Sequence, residues 1–250
     1  MKEEIVGFKL VAFLFLMVTT TDVVAQTYIN SGKIVFERRT NLEKRFEGME
    51  DNRWMRNVDL SKPQIDKFEL LFNDSSSVFR PIVEGEPMGM SEWLTMKNTT
   101  YQSLSEDIRK QEFSFFGTTV LLQDSLRKRT WRMTDSKREI AGYNCRQAMW
   151  EANDSTRIYA WYAEELIPPL GPETFNGLPG VILGLAIEDG GVVYFAKSVE
   201  IKTDQDIEEK APKGRKKDWY TEQQLRDIIK ERFGQMGSAM ERLSWDVFVW

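Results

Sequence analysis

The sequence predicts a mainly β protein, an antiparallel meander sheet or open half-barrel with one C-terminal helix packed on it. Three observations carry that expectation. Short segments of alternating apolar and polar residues recur along the chain, polar turns of Asn, Asp, Ser and Gly separate them, and one stretch near the end has helical spacing.

Residues 31–39 (SGKIVFERR) nearly alternate and give a first strand. Residues 68–72 (FELLF) and 78–82 flank the polar turn Asn73-Asp74-Ser75-Ser76-Ser77, and residues 113–123 supply another pair through Gly117. Residues 130–133 (TWRM) lead through Asp135-Ser136-Lys137 into residues 140–143 (IAGY). Residues 145–150 and 157–163 (RIYAWYA) are antiparallel candidates joined by Asn153-Asp154-Ser155. Residues 181–188 and 192–201 bracket Asp189-Gly190-Gly191, a hairpin signal because both glycines tolerate positive φ. The helix follows Thr221-Glu222-Gln223-Gln224, a capping-box pattern. Leu225, Ile228, Ile229, Phe233 and Met236 then fall on one face, and Tyr220 stands ready as a staple.

The first 25 residues have the order of an export signal. Lys2 and Lys9 flank the start, residues 10–18 (LVAFLFLMV) are apolar throughout, and Val23 and Ala25 stand at the small-residue positions before Gln26. Spanning a bilayer takes ~20 apolar residues, more than this run holds. The expectation is a removable signal over 1–25 and a single β-rich domain over 26–250. That domain would reside in the periplasm, at the outer membrane or outside, with no transmembrane span in its mature form.

The chain has 34 Lys+Arg against 39 Asp+Glu and no histidine. Removing the signal's Lys2, Lys9, Glu3, Glu4 and Asp22 leaves 32 against 36, a mixed and mildly acidic surface without the basic footprint that nucleic acid requires. Lack of imidazole excludes Ser-His-Asp and Cys-His catalysis and the histidine-based zinc sites. Cys145 is the only cysteine, so no intrachain disulfide forms, and its expected role is that of a small buried hydrophobe.

Residues 177–182 (GLPGVI) are the most singular local feature. Pro179 presets φ for the second position of a turn and Gly180 supplies the positive φ that a type II turn needs next. Gly177, Leu178, Pro179 and Gly180 are therefore expected to form a structural turn launching strand 181–188, after an extended segment stiffened by Pro168, Pro169 and Pro172. With SGKIVFERR, KREIAGYNCRQA (137–148) and AWYAEELIPPLGPETFNGLPGVIL (160–183), the sequence resembles the GLPGLI family of exported gram-negative envelope proteins, Val181 being a mild departure. The resemblance implies an envelope location; it brings no defined reaction and no catalytic residues. The order GYxC, a strand bearing Trp-Tyr and a Gly-Pro-rich turn is also similar in outline to one-sided β half-barrels that carry lipids or lipoproteins across the periplasm.

Tyr159, Trp161, Trp131 and Trp150 are the candidate ligand-binding residues, since they fall on adjoining strands. Tyr159 and Trp161 share one face of their strand while Ile158, Ala160 and Tyr162 occupy the other, so both faces need cover. The expected function is binding of an apolar small molecule or of another envelope protein rather than catalysis. A carboxylate-dependent hydrolase of envelope glycans using Glu164 or Glu165, and a structural assembly factor, are the alternatives. Neighbouring strand residues point to opposite faces, which keeps Glu164 and Glu165 from acting as one pair. No motif calls for a cofactor or a metal; Met88, Met90 and Met96 with Cys145 are soft-metal ligands in residue type only. Residues 210–217 (KAPKGRKK) form a basic loop, a solvated linker or an anionic-lipid contact. Residues 244–250 (SWDVFVW) alternate as an edge strand suited to closing the sheet or to strand addition.

Overall fold

The computed structural model describes residues 28–47, 58–83, 94–115, 117–202, 206–233 and 248–250. The expected export segment lies outside these residues, as do Met88, Met90 and Met236.

Twelve strands form one open, mostly antiparallel sheet. They are β1 (Gly32–Thr40), β2 (Gln64–Phe72), β3 (Ser76–Pro81), β4 (Thr99–Ser103), β5 (Ile108–Phe115), β6 (Thr118–Ser125), β7 (Arg132–Ile140), β8 (Tyr143–Asn153), β9 (Thr156–Ala163), β10 (Val181–Ile187), β11 (Val192–Ile201) and β12 (Trp219–Tyr220). Their order across the sheet is β12-β6-β5-β4-β3-β2-β1-β11-β10-β9-β8-β7, two meanders joined where β1 lies between β2 and β11. The two-residue β12 alone runs parallel to its neighbour, β6. Two α-helices occur among the described residues: the single turn α1 (Leu42–Arg45) and the expected C-terminal α2 (Glu222–Phe233).

The period-2 pattern places the core. Ile34, Phe36 and Arg38 of β1, Asp66, Phe68 and Leu70 of β2 and Val192, Tyr194 and Ala196 of β11 all point to one face and are buried. That face is covered by the segment between β9 and β10, where Leu166, Leu170, Phe175 and Leu178 are buried, and by Val249 and Trp250. α2 covers its far end, with Leu225 and Ile229 packed on Phe113, Leu122 and Phe248. The capping box forms as expected: Gln224 N–H donates to Thr221 Oγ1 at 3.2 Å and Thr221 N–H to Gln224 Oε1 at 2.9 Å. At the other end the sheet curls toward the opposite face. Arg138 of β7 stacks over both Trp161 (4.9 Å) and Phe195 (5.2 Å), bringing β7 over β11 despite three intervening strands.

Several local expectations give way. Asp135, Ser136 and Lys137 are not a turn but lie inside β7, whose pairing with β8 is irregular between Met133 and Lys137. The reversal is two residues long at Ala141-Gly142, with φ of 51° and 84°, as a two-residue hairpin prefers. Between β10 and β11 Gly190 takes positive φ (73°), while Gly191 N–H is held by Asp189 Oδ1 at 2.7 Å. Phe248 and Val249 are helical rather than part of an edge strand, and they serve as cover for the core; residues 244–247 lie outside the described residues. Tyr220 does not staple α2: it is 41% exposed beside β6.

Both sheet edges resist further pairing. β12 offers only two residues, and β7 carries Arg132, Asp135, Lys137, Arg138 and Glu139 along an irregular strand.

Candidate functional site

The four aromatic candidates do not form one site. Trp131 and Trp150 are brought together on the covered face, both against Phe175 at centroid distances of 6.3 and 6.2 Å. Trp131 Nε1–H donates to Asn176 O at 3.0 Å, and Arg129 lies 5.0 Å over Trp150. Trp161 and Tyr159 point to the other face, Trp161 buried against Phe195 and Tyr159 half-buried with its hydroxyl toward Glu188. The chain's own residues thus occupy three of the four. Glu164 is exposed and paired with Arg146 at 3.0 Å, on the surface rather than in a pocket. Cys145 is buried, and desolvation pushes its thiol up to about 12, so it behaves as a small hydrophobe.

The glycine-proline turn is structural, though of a different kind from that expected. Gly180 N–H donates to Leu178 O at 2.8 Å while Val181 N–H reaches Leu166 O at 2.9 Å, so the chain reverses over Pro179 in three residues instead of a type II turn. Gly177 (φ 87°) and Gly180 (φ 145°) both lie in the region that favours glycine. At Gly180 the reason is contact as well: a Cβ there would sit 2.1 Å from Ala163 O, at the end of β9.

The segment that ends in this turn is anchored from below by a buried charged network. Glu173 (φ 54°) is fully buried; its carboxylate accepts from Tyr194 Oη at 2.8 Å and Asn98 Nδ2 at 3.3 Å, and Arg38 stands 3.9 Å away. Arg38 also donates to Asp66 at 2.7 Å, and Thr95 donates to that same carboxylate at 2.8 Å. Burial drives the Glu173 carboxyl up, with Arg38 and Tyr194 opposing. For Asp66 burial also pushes up, but the charge and hydrogen bond of Arg38, with the hydrogen bonds of Thr95 and Gln64, hold it below the usual range. Arg129 donates to Thr174 O (2.7 Å) and Thr174 Oγ1 (2.8 Å), Gln102 donates to Glu173 O, and Thr174 N–H reaches Trp250 O at 3.1 Å. The network is closed to solvent and fixes the loop; it offers no opening for a substrate.

An open concavity lies on the opposite face of β5 and β6. It has a volume of about 660 Å³ and is lined by Lys110, Gln123, Lys213, Lys216, Trp219 and Tyr220, with Pro212, Gly214 and Thr221 completing it. Lys110 and Gln123 are cross-strand partners, so they stand side by side, and Lys110 leans 5.7 Å from the Tyr101 ring. Trp219 and Tyr220 are set by the short parallel pairing with Leu121 and Leu122. Gly214 passes so close to β6 that a Cβ would meet Leu121 at 2.4 Å, which keeps the basic loop pressed against the sheet. Arg215 is neutralised by two bonds to Asp218 (2.9 and 3.2 Å), but Lys110, Lys213 and Lys216 form no ion pair with any described residue. Among the described residues no acidic side chain lines the groove. Of this site, sequence reasoning found only the basic loop. The lysine on β5 was missed, although its alternation with Arg109 and Gln111 marks it as a residue of the outer face.

Glu222, the first residue of α2, anchors the helix to the inner face of the same strands. It pairs with Arg109, with Arg127 at 3.0 Å and with Arg226 at 2.6 Å. Burial alone would raise its carboxyl, but Arg127, Arg226 and Arg109 lower it to about 2. The unfolded value is ~4.3, so the stabilisation is complete above that pH and is lost as pH falls toward 2. Wild type should therefore exceed Glu222→Gln in thermal stability at pH 6, and the two should converge near pH 2; parallel curves across that range would refute the assignment.

The chain matches no family model and no curated protein sequence. Among solved structures it is similar to a protein named PNGF-II in two crystal forms, P21 and C2. Both matches have TM-scores of 0.52, at 14% and 16% identity, and each covers 80% of this chain. They cover 33% and 32% of the PNGF-II chain, so this protein spans about a third of that length. At these identities the likeness is one of fold. Among the described residues no helix is long and apolar enough to cross a membrane.

Proposed function

We propose that this chain is an exported envelope protein of the GLPGLI type whose sheet, curled as an open half-barrel, binds an anionic saccharide in the groove beside β6. The observation that carries the reading is the groove's composition: three lysines without a counter-charge, beside Trp219 and Tyr220, on a chain whose net charge is −5. Unpaired cations gathered on an acidic protein favour an anionic ligand, and an indole face with Gln123 and Thr221 nearby suits a sugar ring and its hydroxyls. The curl that stacks Arg138 over Phe195 supports the half-barrel description. An apolar ligand at Trp131, Trp150 and Trp161 is the weaker reading, because the chain's own aromatic rings and arginines already pack against all three.

Titration calorimetry with trigalacturonate and with maltotriose as a neutral control tests it. The acidic trisaccharide should bind with an affinity that falls as salt rises, and the neutral one should not bind. Lys213→Ala combined with Lys216→Ala should weaken binding about tenfold, as should Trp219→Ala. Equal binding of the two sugars, or unchanged affinity in both variants, would sink the reading.

A further inference from the structure

Of the buried side-chain polar atoms without a hydrogen-bond partner among the described residues, all but Trp161 Nε1, on the other face, lie on the covered face. They are Ser77 Oγ, Asn98 Oδ1, Thr100 Oγ1, both amide atoms of Gln111 and the Nε of Arg38, Arg109 and Arg129. Strand register makes four of these residues neighbours. Gln102 of β4 has Ser77 of β3 on one side and Arg109 of β5 on the other, and on the next inward-facing rung Thr100 has Gln111 beside it. Ser77, Thr100, Arg109 and Gln111 are all at least 97% buried. An unpartnered buried polar group costs ~1–3 kcal/mol, and a glutamine with neither end satisfied is a rarity in native interiors. Several such groups side by side call for an occupant that hydrogen-bonds to them.

The surrounding charge says what kind. Arg109, Arg127 and Arg129 converge here. Arg109 and Arg127 share the single carboxylate of Glu222, and one Asp124 oxygen is taken by the Glu222 N–H at 3.0 Å. Arg129 is bonded only to the carbonyls of Thr174 and Val249 and the Thr174 hydroxyl, with Phe175 4.0 Å beneath it; no carboxylate side chain among the described residues touches it. Burial, and then repulsion from Arg127 and Arg109, depress its basicity, the signature of guanidinium groups short of counter-charge. Water would satisfy the hydrogen bonds but leave the charge. An oxyanion neutralises a guanidinium and accepts from the donors of the set, the Ser77 and Thr100 hydroxyls, the Gln111 amide N–H and the arginine Nε–H groups. The Gln111 and Asn98 amide oxygens, being acceptors, take a hydrogen bond from a protonated ion or an accompanying water.

We propose that the interior between β3–β5, α2 and residues 173–176 holds a small oxyanion of the carboxylate, phosphate or sulfate type. The group Arg109, Arg127 and Arg129, with Arg129 lacking a carboxylate partner among the described residues, supplies its positive counter-charge, and Arg109 Nε, Ser77, Thr100 and the Gln111 amide nitrogen are its hydrogen-bond donors. The site is separate from the lysine groove, which lies across the same strands: Lys110 faces outward where Arg109 faces in. An ion enclosed in this way is taken up as the domain closes and stabilises the folded state by mass action.

The test uses protein unfolded, dialysed and refolded in buffer free of oxyanions, then titrated separately with inorganic phosphate, sulfate and acetate. At least one of the three should raise the thermal midpoint by roughly 5–10 °C at saturation and appear as an added mass in native mass spectrometry. Gln111→Leu should abolish that rise while raising the anion-free midpoint, since it deletes two unpartnered atoms at little change of volume. Lys213→Ala combined with Lys216→Ala should keep the rise, which separates this site from the groove. If Gln111→Leu does not fold, Thr100→Val takes its place and should abolish the rise in the same way. The proposal is overturned if none of the three anions shifts the midpoint, if native spectra show bare protein or bound water only, or if the rise survives in the Gln111 or Thr100 variant.

Discussion

Gly180→Ala is expected to destabilise the protein by roughly 3–5 kcal/mol, enough to lower the thermal midpoint by about 10 °C. Two costs combine. The residue sits at φ 145°, where an L side chain is strained, and the new methyl would lie 2.1 Å from Ala163 O and 2.7 Å from its carbon. Both atoms belong to backbone at the end of β9, so relief requires moving a strand rather than turning a side chain. Gly190→Ala is the matched control. That residue also has positive φ, 73°, but nothing lies within 4 Å of the added carbon, so its cost should stay near 1–2 kcal/mol. Equal losses in the two variants, measured by chemical denaturation, would mean that backbone strain alone governs and that the close approach to Ala163 contributes nothing.

Arg38→Met is the second large effect, about 3–5 kcal/mol. The substitution keeps most of the volume against Phe68, whose ring lies 4.7 Å from the guanidinium, but leaves Asp66 and Glu173 buried without their shared cation. Tyr194 would lose a partner at 3.3 Å as well. Adding Asp66→Asn and Glu173→Gln to the Arg38→Met background should recover part of the loss, because the uncompensated charges go with them. A triple variant less stable than the single one would show that shape, not charge, dominates at this position.

The strands with a hydrophobic inner face were legible in the sequence. β1, β9 and β10 alternate or run apolar, and their turns carry the residues that turns require. β4 was not legible, because its inward positions are Thr100 and Gln102; a strand whose buried side is polar shows no hydrophobic period. β7 misled for a related reason: it is exposed along nearly its whole length, so Asp135-Ser136-Lys137 passed for a turn. The groove was legible only as a charge run, since Lys110 and Gln123 reach it from strands some hundred residues before the basic loop. The buried network did leave one trace. Arg38 holds the same phase as Ile34 and Phe36 in β1, and a charged residue on the inward phase of an alternating strand marks a site where burial must be matched by partners elsewhere.

The position of β1 also fixes a sequence of events in the life of the chain. One edge of this strand pairs with β2, immediately downstream, but the other waits for β11, about 150 residues later. At synthesis rates of ~5–20 residues per second, that edge stays open for on the order of ten seconds after β1 emerges. Until then Ile34, Phe36 and Arg38 lack Tyr194 and Ala196 opposite them. The nascent first half is therefore the form most prone to wrong pairing, and a holding chaperone that masks residues 32–40 would protect this chain more than one acting on any later strand.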